Sequence, residues 1–380
     1  CSSAGVWVHC AGWPTIAHAC PDETKGEAAA EGTASHDIIP PLVRIHAIGN
    51  SPSGRQRLRD RTVGQPAANG VIVTDEMFDA AEVAADDIGD IMRKTGQFNP
   101  KIESRIDASL LIHPYSFGTV DAWIYCDHTG TLYITDYKYG HAVVDAFENW
   151  QCINYYAGIT ADESIRFRRN LRVVITIIQP RANHKDGIVR RWKTTGDELA
   201  PYVKRLREAA RAALSPYAQC VTGSHCRWCR ARSRCPALAT ATGHALDYVG
   251  WPIPDELNGS AIGLELDHLK GAEEIIKYRM SGLEQQAEAM AARGQYIQGY
   301  GLRDHYGNNT WIGKPADVVK HADELGVDVS KPGVMTPPQA IKAGLDKEEV
   351  EKMTHKPRRG TRLEKITDKD ARRIFGRGSE

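Results

Sequence analysis

Two carboxylates and an ammonium group stand where one β-hairpin would bring them together. Asp121 lies in the β-rich run "TVDAWIYC", Asp136 and Lys138 lie in "TLYITDYK", and the turn-forming "DHTG" separates the two runs. Folding back at that turn makes the residues of one strand cross-strand neighbours of the other. Asp136 and Lys138, two apart, share a face. Converging carboxylates suit a hard divalent cation such as Mg²⁺ or Mn²⁺. An adjacent ammonium can orient or deprotonate water and stabilise a pentavalent phosphate, so the trio points to phosphodiester hydrolysis. Taken alone, Asp-x-Lys on a strand edge is equally a common solvated pair.

A second constellation is made of thiols. Cys226, Cys229 and Cys235 form a Cys-x2-Cys-x5-Cys run, whose first pair can bind one metal centre and whose third can return by a short loop. Nine cysteines is an odd number, and this crowding suits metal ligation in a reducing compartment better than a secreted disulfide framework. The spacing admits a single Zn²⁺ or an iron–sulfur cluster and lacks a local fourth ligand. Cys1, Cys126, Cys152 and Cys220 read as packing or exposed residues.

The elements that must position these groups alternate between helix and strand. "DETKGEAAAEGTASHDII" reads as a helix carrying Glu31 and His36, residues 50–72 as a Gly/Pro/Arg-rich loop, and residues from Thr74, an N-cap, to Gly96 as an amphipathic helix. "KIESRID" alternates like a strand and contains Glu103, which we leave out of the catalytic set, as we do Glu31. A helix is predicted over Asp145–Ala161, a central strand over "LRVVITIIQPR", and a further helix over "GDELAPYVKRLREAARAALS" leading to the cysteine run. A long amphipathic helix and a polar, basic tail follow. The fold class is therefore α/β, with a central mixed sheet flanked by helices. The expected organisation is an N-terminal segment (1–25), a catalytic core (26–215), the cysteine motif (216–240) and a helical and irregular extension (241–380).

Lys+Arg and Asp+Glu both total 48, so no global basic field announces nucleic acid. Any such contact must come from local patches, of which "RFRRNLR" at 166–172 and the arginines 227, 230, 232 and 234 are candidates. No apolar run approaches bilayer length, so no membrane role is expected. The first twenty residues lack a basic leader followed by an uninterrupted apolar stretch, the initiator Met is missing as if by processing, and a cytoplasmic location is the default.

The flanks make the catalytic trio specific. Gly32-x-x-x-His36, Asp121, Asp136-Tyr137-Lys138 and Gln151-x-x-x-Tyr155 follow one another in an order that resembles the motif series of the RecB-like PD-(D/E)xK nucleases, including their iron–sulfur members. The resemblance implies a restriction-endonuclease-like core in which His36, Asp121, Asp136 and the Tyr137 carbonyl ligand the metal. Lys138 would assist the water, and Gln151 and Tyr155 would position DNA phosphate. It also implies a fourth cluster thiol ahead of the nuclease core, where Cys10 in "VWVHCAG" stands, with Cys20 as the spare. A [4Fe–4S] cluster on Cys10, Cys226, Cys229 and Cys235, or structural Zn²⁺ in its place, would then clasp the core. The arrangement from "WVHC" to "YIQGYGLRDHYGNNTWIG" resembles a phage and prophage branch of these nucleases, which implies DNA as substrate and phage replication or recombination proteins as partners. The expected activity is an exonuclease on DNA ends or single strands. The alternatives are a catalytically silent DNA-binding scaffold with a structural four-cysteine metal site and a redox-sensing regulator.

Overall fold

The computed structural model of the 380-residue chain describes residues 2–20, 27–161, 165, 170–249, 259–306, 310–312, 315–330, 335–355 and 358–365. The chain divides into two compact units, Cys1–Arg279 and Met280–Glu380.

The first unit opens with α1 (Ala4–Trp7), α2 (Trp13–His18), α3 (Glu27–His36), α4 (Ile39–Ala47), α5 (Pro52–Thr62) and α6 (Asp75–Thr95). Strands β1 (Lys101–Asp107), β2 (Phe117–Cys126) and β3 (Thr131–Tyr137) follow, then α7 (Trp150–Thr160), β4 (Arg172–Ile178), β5 (Val189–Thr195) and α8 (Gly196–Ala213). A 3₁₀ turn (Ser224–Trp228) leads to α9 (Pro236–Val249) and α10 (Gly259–Ala292), within which the division between units falls.

The five strands form one sheet in the order β1-β2-β3-β4-β5, parallel between β3 and β4 and antiparallel elsewhere. A parallel pair needs a crossover, and α7 supplies it. Continuous apolar runs mark the strands covered on both faces: Val173, Ile175, Ile177 and Ile178 of β4 are all fully buried. One layer, on α7 and α8, gathers Leu132, Ile134, Ile153 and Leu206. The other, built on α3, α4 and α6, gathers Leu42, Phe78, Ile88 and Tyr137. The expected α/β core with a mixed sheet between helices is therefore present.

Local signals explain most boundaries. The Thr74 hydroxyl accepts from Met77 N at 3.2 Å to start α6, and Gly96, at φ 69°, ends it. Helix α7 starts five residues later than Asp145 because the Asn149 side chain caps it, accepting from Cys152 N at 3.0 Å. Residues 50–72 are not simply a loop. Ser51 caps α5, Pro52 occupies its first turn, and the helix buries no side chain. Half-buried Leu58 rests on the core, and charge adds the rest: Arg59 pairs with Asp75, Asp79 and Glu82 of α6, and Arg55 with Asp86. An apolar-periodicity reading has no repeat to detect in such a helix.

The second unit corrects the expectation of a purely helical and irregular extension. Strands β6 (Tyr300–Tyr306) and β9 (Arg358–Lys365) pair antiparallel, as do β7 (Thr310–Trp311) and β8 (Thr354–His355). Helices α11 (Pro315–Glu324), α12 (Pro337–Lys342) and α13 (Lys347–Met353) enclose a small core of Val318, Ala322, Val329, Ala340, Leu345 and Val350. Trp311 packs on it and donates its indole N–H to Met335 O at 2.7 Å, whereas Tyr300 is 44% exposed. Among the described residues no helix is long and apolar enough to cross a membrane.

Candidate metal centre

Strand register builds the acidic site. Ile102 and Ser104 of β1 pair with Ala122 and Val120 of β2, which sets Glu103 opposite Asp121. Ala122 pairs with Thr135 of β3, and one residue further Asp136 stands opposite Asp121. Three carboxylates thus form one row across three strands. Like charges directly opposite are unfavourable in a sheet unless something cationic joins them. Glu103 holds a left-handed backbone, φ 45°, inside its strand, a conformation that costs a non-glycine residue about 1 kcal/mol or more.

His36, at the end of α3, closes the row. Its Nδ1 lies 3.4 Å from Glu103 Oε1 and 3.8 Å from Asp121 Oδ1. Ligand atoms of His36, Glu103 and Asp121 all lie within 4.8 Å of one another. Tyr137 steadies this corner: its hydroxyl pairs with Ser35 Oγ at 2.7 Å, its ring packs edge-on against His36 at 5.1 Å, and its N–H donates to Asp121 Oδ2 at 2.6 Å.

On the other side of the row, Lys138 Nζ lies 2.8 Å from Asp136 Oδ2 and donates to Gln151 Oε1 at 3.2 Å. The Gln151 amide donates to Asp136 Oδ1 at 3.1 Å and to the Tyr155 hydroxyl at 2.6 Å. All of the predicted catalytic side chains therefore meet at one place. Asp136 is fully buried, yet its Oδ2 receives no aligned hydrogen bond, only the nearby ammonium. A buried carboxylate whose Oδ2 is met only by an ammonium, beside a row of further oxygen and imidazole donors, is a donor set that fits a hard divalent cation.

Charge states follow from the crowding. Burial, then Asp136, push the Asp121 carboxyl up to about 7 in the metal-free protein. Burial opposes charge on His36 and Lys138, but Glu103 and Asp121 around the imidazole, and Asp136 and Asp121 around the ammonium, raise both above their usual ranges. For Asp121 the sign runs against folding. Between the unfolded value of 3.8 and about 7 the native state holds a proton that the unfolded chain has released, so metal-free stability falls as pH rises through that window. Asp121→Asn is expected to melt about 5 °C above wild type at pH ~8 without metal, with the gap closing by pH ~4. Added Mg²⁺ or Mn²⁺ should raise the wild-type midpoint at the higher pH and leave the variant unmoved. Scanning calorimetry of both proteins at the two pH values checks this.

Gln179, buried just beyond β4, holds the segment that links Lys138 to α7. Its amide donates to Gly140 O and Ala142 O, both at 2.7 Å, and its oxygen accepts from Val144 N at 3.1 Å and Arg190 Nη2 at 2.6 Å. The buried Arg190 guanidinium also donates to Val144 O at 2.7 Å. Sequence reasoning misses this pair, and it sets Glu103 aside. The β1–β2 register that aligns Glu103 with Asp121 depends on an irregular connection over residues 108–116. Glu31, by contrast, is an ordinary surface partner, 3.3 Å from Arg181.

The cysteines converge at the far end of α1. Cys10, Cys226, Cys229 and Cys235 are buried, and Val221 N donates to Cys10 Sγ at 3.5 Å across 211 residues of sequence. Cys226 and Cys229 sense the thiols of Cys235 and Cys10, so the four are neighbours. Burial first, then the neighbouring thiols, push Cys229 up to about 11. A metal that bound here would release protons.

Cys220, expected as packing or exposed, is half-buried and packs beside Cys226 and Cys235. It lies within hydrogen-bonding reach of Cys10 and Cys235 and makes a fifth thiol at this site. A Cβ on Gly12 would sit 2.6 Å from its sulfur, which makes that position a glycine. Cys20, just past the end of α2, instead donates to Ile16 O at 3.3 Å. The arginine patch is also partly structural. Arg232 is buried and caps Arg227 O and Cys229 O, both at 3.2 Å. Most of "RFRRNLR", residues 166–169, lies outside the described residues.

A family model described as a protein of unknown function, DUF2800, matches residues 1–371. Comparison with curated proteins returned no match.

Proposed function

The chain belongs to the DUF2800 family, and from that starting point we propose that it is a Mg²⁺- or Mn²⁺-dependent DNA nuclease of the PD-(D/E)xK type. The observation that carries the reading is the cross-strand row Glu103–Asp121–Asp136 with His36 against one end and Lys138 paired to Asp136 at the other. His36, Glu103, Asp121, Asp136 and the Tyr137 carbonyl would hold the cation. When bound, it lowers the pKa of water and neutralises charge on a phosphoryl oxygen.

The chain's own groups do the rest. Asp136 and Asp121 keep Lys138 protonated, so at neutral pH it acts as a fixed cation beside the phosphorane and not as the proton acceptor. Gln151 locks the mutual orientation of Asp136 and Lys138 by touching both. Burial and Asp136 push the Tyr155 phenol well above its usual range, so its O–H remains a donor that phosphate can use. Water attacks phosphorus in line as the bond to the leaving sugar oxygen breaks, the attacking water yielding a proton to solvent and the departing oxygen taking one up from solvent.

Cys10, Cys226, Cys229 and Cys235 would hold the second centre, a [4Fe–4S] cluster or structural Zn²⁺. Iron, sulfide and zinc content of the anaerobically purified protein distinguishes the two. The resemblance to phage nucleases supports a setting in phage DNA replication or recombination in a reducing bacterial cytoplasm, with action on ends or single strands.

The test is cleavage of end-labelled linear and circular DNA, single- and double-stranded, by anaerobically purified protein with Mg²⁺, Mn²⁺ or EDTA. Cleavage in either metal and none in EDTA is expected, with circles spared by an exonuclease. DNA binding without cleavage in any metal overturns the nuclease reading and supports a silent scaffold.

A further inference from the structure

Six aromatic rings form a continuous ribbon on the first unit. Phe147 packs on Trp192 at 5.2 Å, Trp192 on Tyr202 at 5.8 Å, Tyr202 on Trp150 at 5.7 Å, Trp150 on His9 at 5.9 Å and His9 on His225 at 5.8 Å. They come from five separate stretches of chain, and the ribbon runs from the segment after Lys138 to the turn that carries Cys226 and Cys229.

Core packing accounts for only part of it, the inner sides of Trp150, Trp192 and Tyr202. Phe147 is 63% exposed, His9 is exposed, and Trp150, Trp192 and Tyr202 are only half-buried. The ring surface offered to solvent lies mainly on Phe147 and His9, since Arg205 covers one face of Trp150.

Cations accompany the rings. The exposed Arg205 lies over Trp150 at 5.0 Å and reaches His9 Nδ1 at 3.4 Å, and beyond His225 Arg227 lies over the exposed Trp228, also at 5.0 Å. A carboxylate also touches the ribbon: Glu148 accepts from the Tyr202 hydroxyl at 2.6 Å. Open aromatic faces with guanidinium groups alongside suit a polyanion whose bases are unpaired, because a duplex hides its base faces. Trp150 immediately precedes Gln151, the residue that touches both Asp136 and Lys138.

We propose that this ribbon is a binding track for single-stranded DNA, with bases stacked on its open rings and phosphates beside Arg205 and Arg227. It rests on the nuclease reading only for its purpose, delivery of a single strand to the acidic row. Its existence as a binding surface is independent of cleavage.

The test is fluorescence anisotropy of labelled oligothymidylate, oligouridylate and a blunt hairpin duplex with the full chain in EDTA, where metal-dependent cleavage is off. Wild type is compared with the double variant Phe147→Ala/His9→Ala and with Phe147→Trp. Loss of about 10-fold to 100-fold in oligothymidylate affinity is expected for the double variant, with the duplex changed by less than about 2-fold and Phe147→Trp close to wild type. Unchanged oligothymidylate affinity, or an equal loss on duplex, overturns the track. Stronger binding of oligouridylate overturns its assignment to DNA. Cleavage by wild type in Mg²⁺, measured separately on the same oligothymidylate, decides the nuclease reading without bearing on these outcomes.

Discussion

Lys138→Ala is expected to lower metal-dependent DNA cleavage by at least ~100-fold while leaving the fold and divalent-metal binding in place. The ammonium is 2.8 Å from Asp136 Oδ2 and sits at the end of the carboxylate row, so its removal takes away the cation that faces a developing phosphorane. It also removes a positive charge that competes with the metal for Asp136. Titration calorimetry should therefore show Mg²⁺ or Mn²⁺ bound at least as tightly as by wild type. Lys138→Arg tests placement as well as charge: Gln151 Oε1 accepts from Nζ at 3.2 Å, and a planar guanidinium cannot occupy that point without displacing the amide. Cleavage by Lys138→Ala at the wild-type rate would remove the ammonium from the chemistry. Loss of both cleavage and metal binding would mean that it supports the site's structure.

Cys229→Ser is expected to abolish bound iron, or zinc, and to destabilise the first unit. The thiols join the segment around Cys10 to the segment at 226–235, and Val221 N meets Cys10 Sγ across 211 residues of sequence. A cross-link closing a loop of that size restricts the unfolded chain by about 5 kcal/mol on loop-closure grounds. Metal content by mass spectrometry, visible absorbance and limited proteolysis are the readouts, with early release of residues before α3 expected from the variant. Retained metal and an unchanged melting temperature would overturn the four-thiol assignment. Cys220→Ser is the informative companion. It should keep the metal if Cys10 is the fourth ligand and lose it if Cys220 takes that place.

How much of the molecule is legible in its sequence depends on the distance over which the interactions act. The β2–β3 hairpin, the Asp136–Lys138 spacing and the ends of α6 are local, written in "DHTG", in the two-residue strand period and in Thr74 and Gly96. Gln151 and Tyr155 emerge from helical spacing together with the motif order. Glu103 does not, because its alignment with Asp121 depends on an irregular connection whose geometry no local residue pattern dictates. Cys220 reads as packing because its partners lie on other segments. Helix α5 escapes notice because surface ion pairs and the single Leu58 hold it, and the β6–β9 pairing because its strands stand far apart in sequence. The arginines near the cysteines look alike in sequence, yet Arg232 is buried against main-chain carbonyls and Arg227 lies over an exposed ring.

The Gln179 fastening has a consequence for how such a site can diversify. Its contacts with the segment after Lys138 are all to main-chain atoms, the carbonyls of Gly140 and Ala142 and the amide of Val144, and Arg190 adds the Val144 carbonyl. A fastener that grips only peptide groups is indifferent to the side chains it holds. Val143 and Phe147 can therefore be exchanged for other residues while the path of the chain from Lys138 to Gln151 stays the same, whereas His141 adds a side-chain tie of its own to Arg181 O at 3.0 Å. On the proposed reading, Phe147 would meet substrate and Lys138 would serve the chemistry from one segment, so exchange of the first would leave the placement of the second unchanged.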